Sequence, residues 1–300
     1  MKKILLLAIP ILLVLAACDK YEGDTHHPSY LQINAFTVED TPGDSWSQDD
    51  GFFTSDIDAV NVTFYVAGDT AETLLGTFQL PCRIPVLREG VLDYVRIVPV
   101  VKQDGIAGKR IAYPFYKSIT LDSVIMKRDS VTDLGNMVTR YISRNTMRVA
   151  WQEFFEPPAE ITLDSVVLRC TSPDTVRSGY GCGVIRVPQG TTSVSFGYDT
   201  TINIPDPSAI VYLEMDYWSD IDFTVGLNNP ISQGGANMLY SHETLYGKPQ
   251  QGWAKIYINI GSLWSKTYLH YPNIRPYFTI LNDDGKAGNL FLDNIKLIVM

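Results

Sequence analysis

Val211-Tyr212-Leu213-Glu214-Met215-Asp216-Tyr217-Trp218 is the stretch on which the reading of the fold turns. Side chains on a β-strand point alternately to opposite faces. Val211, Leu213 and Met215 therefore fall on one side, with Tyr212, Glu214, Asp216 and Trp218 on the other. The same period of two runs through Leu31-Gln32-Ile33-Asn34-Ala35-Phe36 and through Val60, Val62, Phe64 and Val66, with Asn61, Thr63 and Tyr65 opposite. It returns in Ile256, Ile258 and Ile260, set against Trp253, Lys255, Tyr257 and Asn259. Turn signals such as Gly68-Asp69 and the punctuating Pro81 and Pro85 separate such runs. No segment reads as a helix longer than a turn or two. The expectation is an all-β chain.

Its 300 residues are more than one ordinary sandwich needs, so two domains of about 110–150 residues are expected. The charged Lys127-Arg128-Asp129-Ser130 and the turn-forming Asp133-Leu134-Gly135-Asn136 place a linker at 127–150, between units at 30–126 and 151–300. Within the first unit, Gly76-Thr77-Phe78-Gln79-Leu80-Pro81, then Ile84-Pro85-Val86-Leu87 and Gly90, resembles the small Ig-like or PEGA-like sandwiches of cell-envelope proteins. The second opens at Trp151-Gln152-Glu153-Phe154-Phe155-Glu156 and closes at Phe291-Leu292-Asp293-Asn294-Ile295-Lys296-Leu297-Ile298. This pairing resembles β-jelly-roll modules of the carbohydrate-binding type, whose first and last strands lie side by side. Together the resemblances imply an N-terminal Ig-like β-sandwich followed by a C-terminal β-jelly roll.

The chain begins Met1-Lys2-Lys3, continues apolar from Ile4 to Ala17, and reaches Cys18. Basic residues before a short apolar run read as a signal peptide, residues 1–17. The run is shorter than the roughly 20 residues a membrane-spanning helix needs, and Pro10 interrupts it. Leu15-Ala16-Ala17-Cys18 resembles the lipobox of bacterial lipoproteins, which implies lipidation of Cys18 and anchorage to a membrane. Residues 18–29 are polar and aperiodic and read as a flexible tether. Their acidic start resembles the export signal of Bacteroidota surface lipoproteins, which favours the outer membrane, whereas an aspartate here would in enterobacteria imply retention at the inner membrane.

The net charge of -9, with no basic stripe, argues against a nucleic-acid partner. Besides Cys18 there are three cysteines, enough for one intramolecular disulfide. Cys170 and Cys182 flank a turn-rich segment and are the candidate pair in an oxidising compartment, the alternative being two buried thiols. Cys82 reads as a small buried hydrophobe.

Asp293 alternates with Phe291, Ile295 and Leu297, so an unbroken strand would turn it toward the core. A carboxylate so placed needs a cation or ample hydrogen bonds. In the jelly rolls this chain resembles, a structural Ca²⁺ often joins an acid of the opening strand to an aspartate of the closing one. The resemblance implies Glu156, or secondarily Glu153, with Asp293 as ligands. The plainer alternative is an aspartate bonded to local backbone.

The aromatic-acidic face is the candidate binding surface. Trp218, Trp253 and Tyr257 could stack on sugar rings while Glu214 and Asp216 accept hydroxyl protons, with Tyr212 alongside. The same face could equally pack on the N-terminal domain or form ordinary surface. No Gly-x-Ser-x-Gly, His-Glu-x-x-His or phosphate-cradling glycine loop occurs. Glu214 and Asp216, two apart on a strand, are the one carboxylate pair a glycosidase could use. The expectation is a non-catalytic envelope module that binds glycan, or else an assembly component docking to another envelope protein.

Overall fold

The computed structural model describes residues 27–41, 50–228, 252–261 and 273–300, with the strand segments 232–233, 236–237 and 242–247. Cys18, the signal peptide and most of the tether lie outside the described residues. No described helix is long and apolar enough to cross a membrane.

Among the described residues, ten strands build the N-terminal unit: β1 (Ser29–Ile33), β2 (Ala35–Val38), β3 (Ala59–Tyr65), β4 (Thr73–Gln79), β5 (Cys82–Val86), β6 (Gly90–Lys102), β7 (Arg110–Ala112), β8 (Ile119–Met126), β9 (Val131–Asp133) and β10 (Asn136–Thr139). One layer runs β4-β3-β6-β7, with β8 also on β6; opposite it stand β5-β1-β9 and the pair β2–β10. Leu31, Ile33, Ile84 and Val86 from one layer meet Val60, Val62, Leu92, Val95 and Ile97 from the other, all buried. Each such side chain contributes about 1.5–3 kcal/mol on burial. The segment 127–150 is no mere linker. Its β9 and β10 pair in parallel with β1 and β2, satisfying backbone groups that an extended linker would leave to solvent.

The C-terminal unit comprises β11 (Arg148–Glu153), β12 (Leu168–Cys170), β13 (Cys182–Val187), β14 (Ser193–Gly197), β15 (Ile202–Asn203), β16 (Val211–Ser219), β17 (Asp222–Asn228), β18 (Ser232–Gln233), β19 (Ala236–Asn237), β20 (His242–Gly247), β21 (Ala254–Asn259), β22 (Asn273–Leu281) and β23 (Gly288–Val299). One sheet runs β12-β13-β23-β16-β21, with β11 also on β23; the other runs β14-β22-β17-β20, with β15 on β22. The opening strand β11 lies antiparallel beside the closing strand β23. Between the sheets, Leu213, Met215, Ile256, Ile258, Ile295 and Leu297 pack on Phe196, Phe223, Val225, Phe278 and Ile280.

One local feature overturns the expected direction of Asp293. Asn294 adopts φ 53°, and the β16–β23 register shifts between Glu214↔Lys296 and Asp216↔Asp293. This β-bulge inserts a residue into β23 and reverses the alternation beyond it. Leu290 and Leu292 face the core before the bulge, and Ile295 and Leu297 after it. Asp293 and Phe291 consequently lie on the outer face, with Asp216 and Trp218 as their partners.

That outer face is largely covered. Tyr212, Tyr257 and Ile298 join the hydrophobic cluster of the N-terminal unit, beside Phe52, Tyr113, Phe115, Tyr116 and Tyr141. The Tyr113 ring meets Tyr212 and Tyr257 edge-on, at 5.3 and 4.8 Å between centroids. Main-chain contacts reinforce the junction: Asp104 N donates to the Tyr257 carbonyl at 2.8 Å. In return, Asn259 N donates to Asp104 Oδ1 at 3.1 Å.

Candidate functional site

The expected binding face divides into a sealed seam and an open platform. At the seam's centre Glu214 is fully buried. Its Oε1 accepts from the Tyr113 hydroxyl at 2.7 Å and its Oε2 from the Tyr141 hydroxyl at 2.9 Å. Lys296 Nζ stands 3.0 Å and Lys255 Nζ 3.6 Å from Oε2. Lys296 also donates to Tyr141 Oη at 2.7 Å and to the Phe52 carbonyl, and sits 4.4 Å from the Phe52 ring centroid.

Burial pushes the Glu214 carboxyl up, but Lys296, Lys255 and the Tyr113 hydroxyl outweigh it and hold it below its ordinary value. Burial pulls the Lys296 ammonium down to about 8, against the attraction of Glu214. The hydroxyls of Tyr113, Tyr116, Tyr141 and Tyr257 are all driven well up, chiefly by burial.

Tyr212, Glu214, Asp216 and Tyr257 are therefore not a sugar surface. They are 3 %, 0 %, 0 % and 1 % exposed, beneath the N-terminal unit. Tyr113, Tyr141 and two lysines satisfy Glu214, while Thr54 and Asn294 hold Asp216, so packing on the neighbouring unit prevails over ligand binding. Glu214 and Asp216 cannot reach a glycoside either, for the same reason.

Asp216 and Asp293 extend the seam. Asp216 Oδ2 accepts from Thr54 Oγ1 at 2.6 Å and Asn294 Nδ2 at 2.7 Å. Its Oδ1 is buried without a hydrogen bond, though Arg177 Nε stands 3.9 Å away. Asp293 accepts from Asn294 N at 2.8 Å and from Ser178 N at 3.4 Å. Burial, with a contribution from Asp216, raises Asp293 to about 8.

The expected calcium ligands do not meet one another: Glu156 and Asp293 hold loop 177–181, and Glu153 holds its own neighbourhood. Glu156 accepts from Tyr180 N at 2.9 and 3.0 Å. Glu153 accepts from Phe155 N, Thr162 N and Thr162 Oγ1. Among the described residues no three His, Cys, Asp or Glu gather as a metal site. The buried Asp216 Oδ1, without a hydrogen bond and beside Asp293, is the feature that suits a cation.

Cys170 and Cys182 are directly opposed on β12 and β13, both as free thiols. Hydrogen bonding with Thr175 lowers the Cys170 thiol, while burial pushes the Cys182 thiol well up. Cys82 is only half-buried.

The open platform lies one step further along the same face. Trp218 and Phe291 are cross-strand partners with rings stacked at 5.3 Å and 28°. Phe291 opposes Val184, and Val184 opposes Leu168, which is 52 % exposed. Trp253 precedes Ala254, the partner of Tyr217, and its Nε1 donates to the Thr175 carbonyl at 3.1 Å. Trp218, Trp253 and Phe291 are all partly exposed. Of the expected sugar contacts, the two tryptophans alone remain open. Phe291 joins them because the bulge turns it outward. Tyr113 and Tyr141 carried a faint signal, as tyrosines outside any clean alternation.

No family model matches the chain, and no curated protein does. The solved structures it resembles include several carbohydrate-binding modules and an arabinose-bound family 51 α-L-arabinofuranosidase. One is a family 61 module in complex with β-1,4-galactotriose, 14% identical over 47% of this chain and 88% of that one, with a TM-score of 0.29. Another is the CBM22-1 xylan-binding domain from Paenibacillus barcinonensis Xyn10C, 12% identical over 51% and 96%, with a TM-score of 0.35. A carbohydrate-binding module of the β-sandwich superfamily is 13% identical over 79% and 84%, with a TM-score of 0.36.

Proposed function

We propose that this chain is a lipoprotein anchored through Cys18 to the outer membrane, acting as a non-catalytic module that binds glycan. The observation that carries the reading is the aromatic platform: Trp218 stacked on Phe291, with Trp253 beside them, on the part of the sheet left uncovered. Flat rings suit the C–H faces of sugars, and the exposed Arg186 at the platform's edge offers hydrogen-bond donors to hydroxyls. In the same proposal Ca²⁺ is structural, held by Asp293 and the Asp216 oxygen that lacks a hydrogen bond, with Glu156 ordering the adjoining loop.

The test is a glycan-array screen of the folded mature chain, with and without EDTA. Saturable binding lost in Trp218→Ala and in Trp253→Ala is the expected outcome. Loss of thermal stability in EDTA is the outcome expected for calcium. A negative screen from folded protein overturns the glycan reading. The second reading, docking to an envelope protein, is favoured by exposed Leu168 beside the platform, since an aliphatic edge suits a protein better than a sugar.

A further inference from the structure

Exposed apolar side chains scattered singly need no explanation, whereas a gathered set marks an interaction surface. Leu74, Leu87, Val91, Ile125 and Val131 are 68 %, 68 %, 54 %, 57 % and 41 % exposed. The sheet register brings them to one end of the N-terminal sandwich. Val91 opposes Ile125 across β6 and β8. Val131 opposes Tyr30 on β1, and Leu87 follows Val86, the partner of Ser29. Leu74 begins near the β3–β4 turn, whose Asp69 pairs with Arg88 at 3.1 Å.

Two facts identify the occupant. First, this is the end at which the chain enters β1 at Ser29, and residues 18–28 span no more than about 40 Å even when fully extended. Second, β6 runs from this end, at Gly90, to Lys102, after which Gln103 and Asp104 contact β21 of the C-terminal unit. At about 3.3 Å per residue, its 13 residues set the patch about 40 Å from that junction. The C-terminal unit therefore leaves it uncovered. Charges at the rim pair locally, Arg88 with Asp69 and Arg128 with Glu89, so the contact depends on apolar burial and not on anionic lipid.

We propose that this end of the sandwich rests on the lipid bilayer, with Leu87, Val91, Ile125 and Val131 dipping into the interfacial layer. The inference rests on the reading of Cys18 as lipidated. It orients the molecule: β6 stands away from the membrane and carries the C-terminal unit outward.

The experiment places a photoreactive benzophenone residue at position 125 or, as control, at position 168. The full acylated chain is illuminated on phosphatidylethanolamine–phosphatidylglycerol vesicles and in native envelopes. Lipid adducts at position 125, about ten-fold above position 168 and reduced by Val91→Asp without loss of thermal stability, are expected. Equal or absent lipid adducts, with Cys18 acylation verified by mass spectrometry, overturn the inference while leaving the anchor intact. Protein adducts in envelopes without lipid adducts also overturn it and assign the patch to a protein partner. An unacylated Cys18 overturns the anchor itself, and this inference with it.

Discussion

Asp216 and Asp293 face one another across neighbouring strands, both fully buried, and Asp216 keeps one carboxylate oxygen without a hydrogen bond. Two like charges held this way disfavour joint ionisation, and burial adds to the effect.

The pH dependence follows. Asp293 has a folded pKa of about 8, far above its ordinary 3.8, so the folded state binds more protons than the unfolded state between these values. Its contribution to stability is fully present below about pH 4 and is lost as pH rises toward about 8. Metal-free protein should lose on the order of 5 kcal/mol across that window, about 1.4 kcal/mol per pH unit. Asp293→Asn should flatten the decline. Urea unfolding at pH 5 and pH 8 checks this; an unchanged slope in the variant would remove Asp293 as the cause.

Breaking the central ion pair from one side should be severe. Lys296→Met leaves Glu214 buried with fewer compensating charges and is expected to cost about 3–5 kcal/mol. The double variant Lys296→Met/Glu214→Gln should cost less than the sum of the two single changes. A double-mutant cycle by chemical denaturation measures the coupling, and strict additivity would argue against it.

Tyr257→Ala and Trp218→Ala should fail in different ways. Tyr257 is 1 % exposed, and its hydroxyl accepts from Asp56 N at 3.0 Å, so its loss should cost about 3–5 kcal/mol. Trp218 is partly exposed, and its removal should cost less stability while abolishing ligand binding. Thermal melts paired with the array screen separate the two.

Oxidation should join Cys170 to Cys182. Opposed residues of antiparallel strands have Cα atoms about 4.5–5.5 Å apart, within the range a disulfide spans. With oxidised glutathione as acceptor, the two thiols give up two protons and two electrons, and two molecules of reduced glutathione are released. The closed loop should add about 3 kcal/mol. Intact-mass analysis and melting of the oxidised form, against Cys170→Ser, test both statements.

Strands were legible wherever one face is apolar and the other polar, as in Val60–Val66 and Val211–Trp218. The same alternation could not say what covers the polar face. Tyr212, Glu214 and Tyr257 look alike in sequence whether they meet sugar or meet Tyr113 and Tyr141, more than 70 residues away along the chain. Asp293 was misdirected by a single residue. Asn294 takes a left-handed conformation that asparagine tolerates well, and parity arguments assume no such insertion. β9 and β10 were hidden because strands this short, in parallel pairing, carry too few residues to show a period.

The position of β23 bears on how the molecule is made. It is the last described strand, yet it lies between β16 and both β13 and β11, and its Lys296 reaches back to Phe52. An emerging chain can assemble the early sandwich first. Its tyrosines then have no buried carboxylate to hold, because Glu214 has yet to be sandwiched by the final strand. Completion of this sheet thus waits on β23. Loss of β23 removes the sheet's centre and the clasp between the units in one stroke.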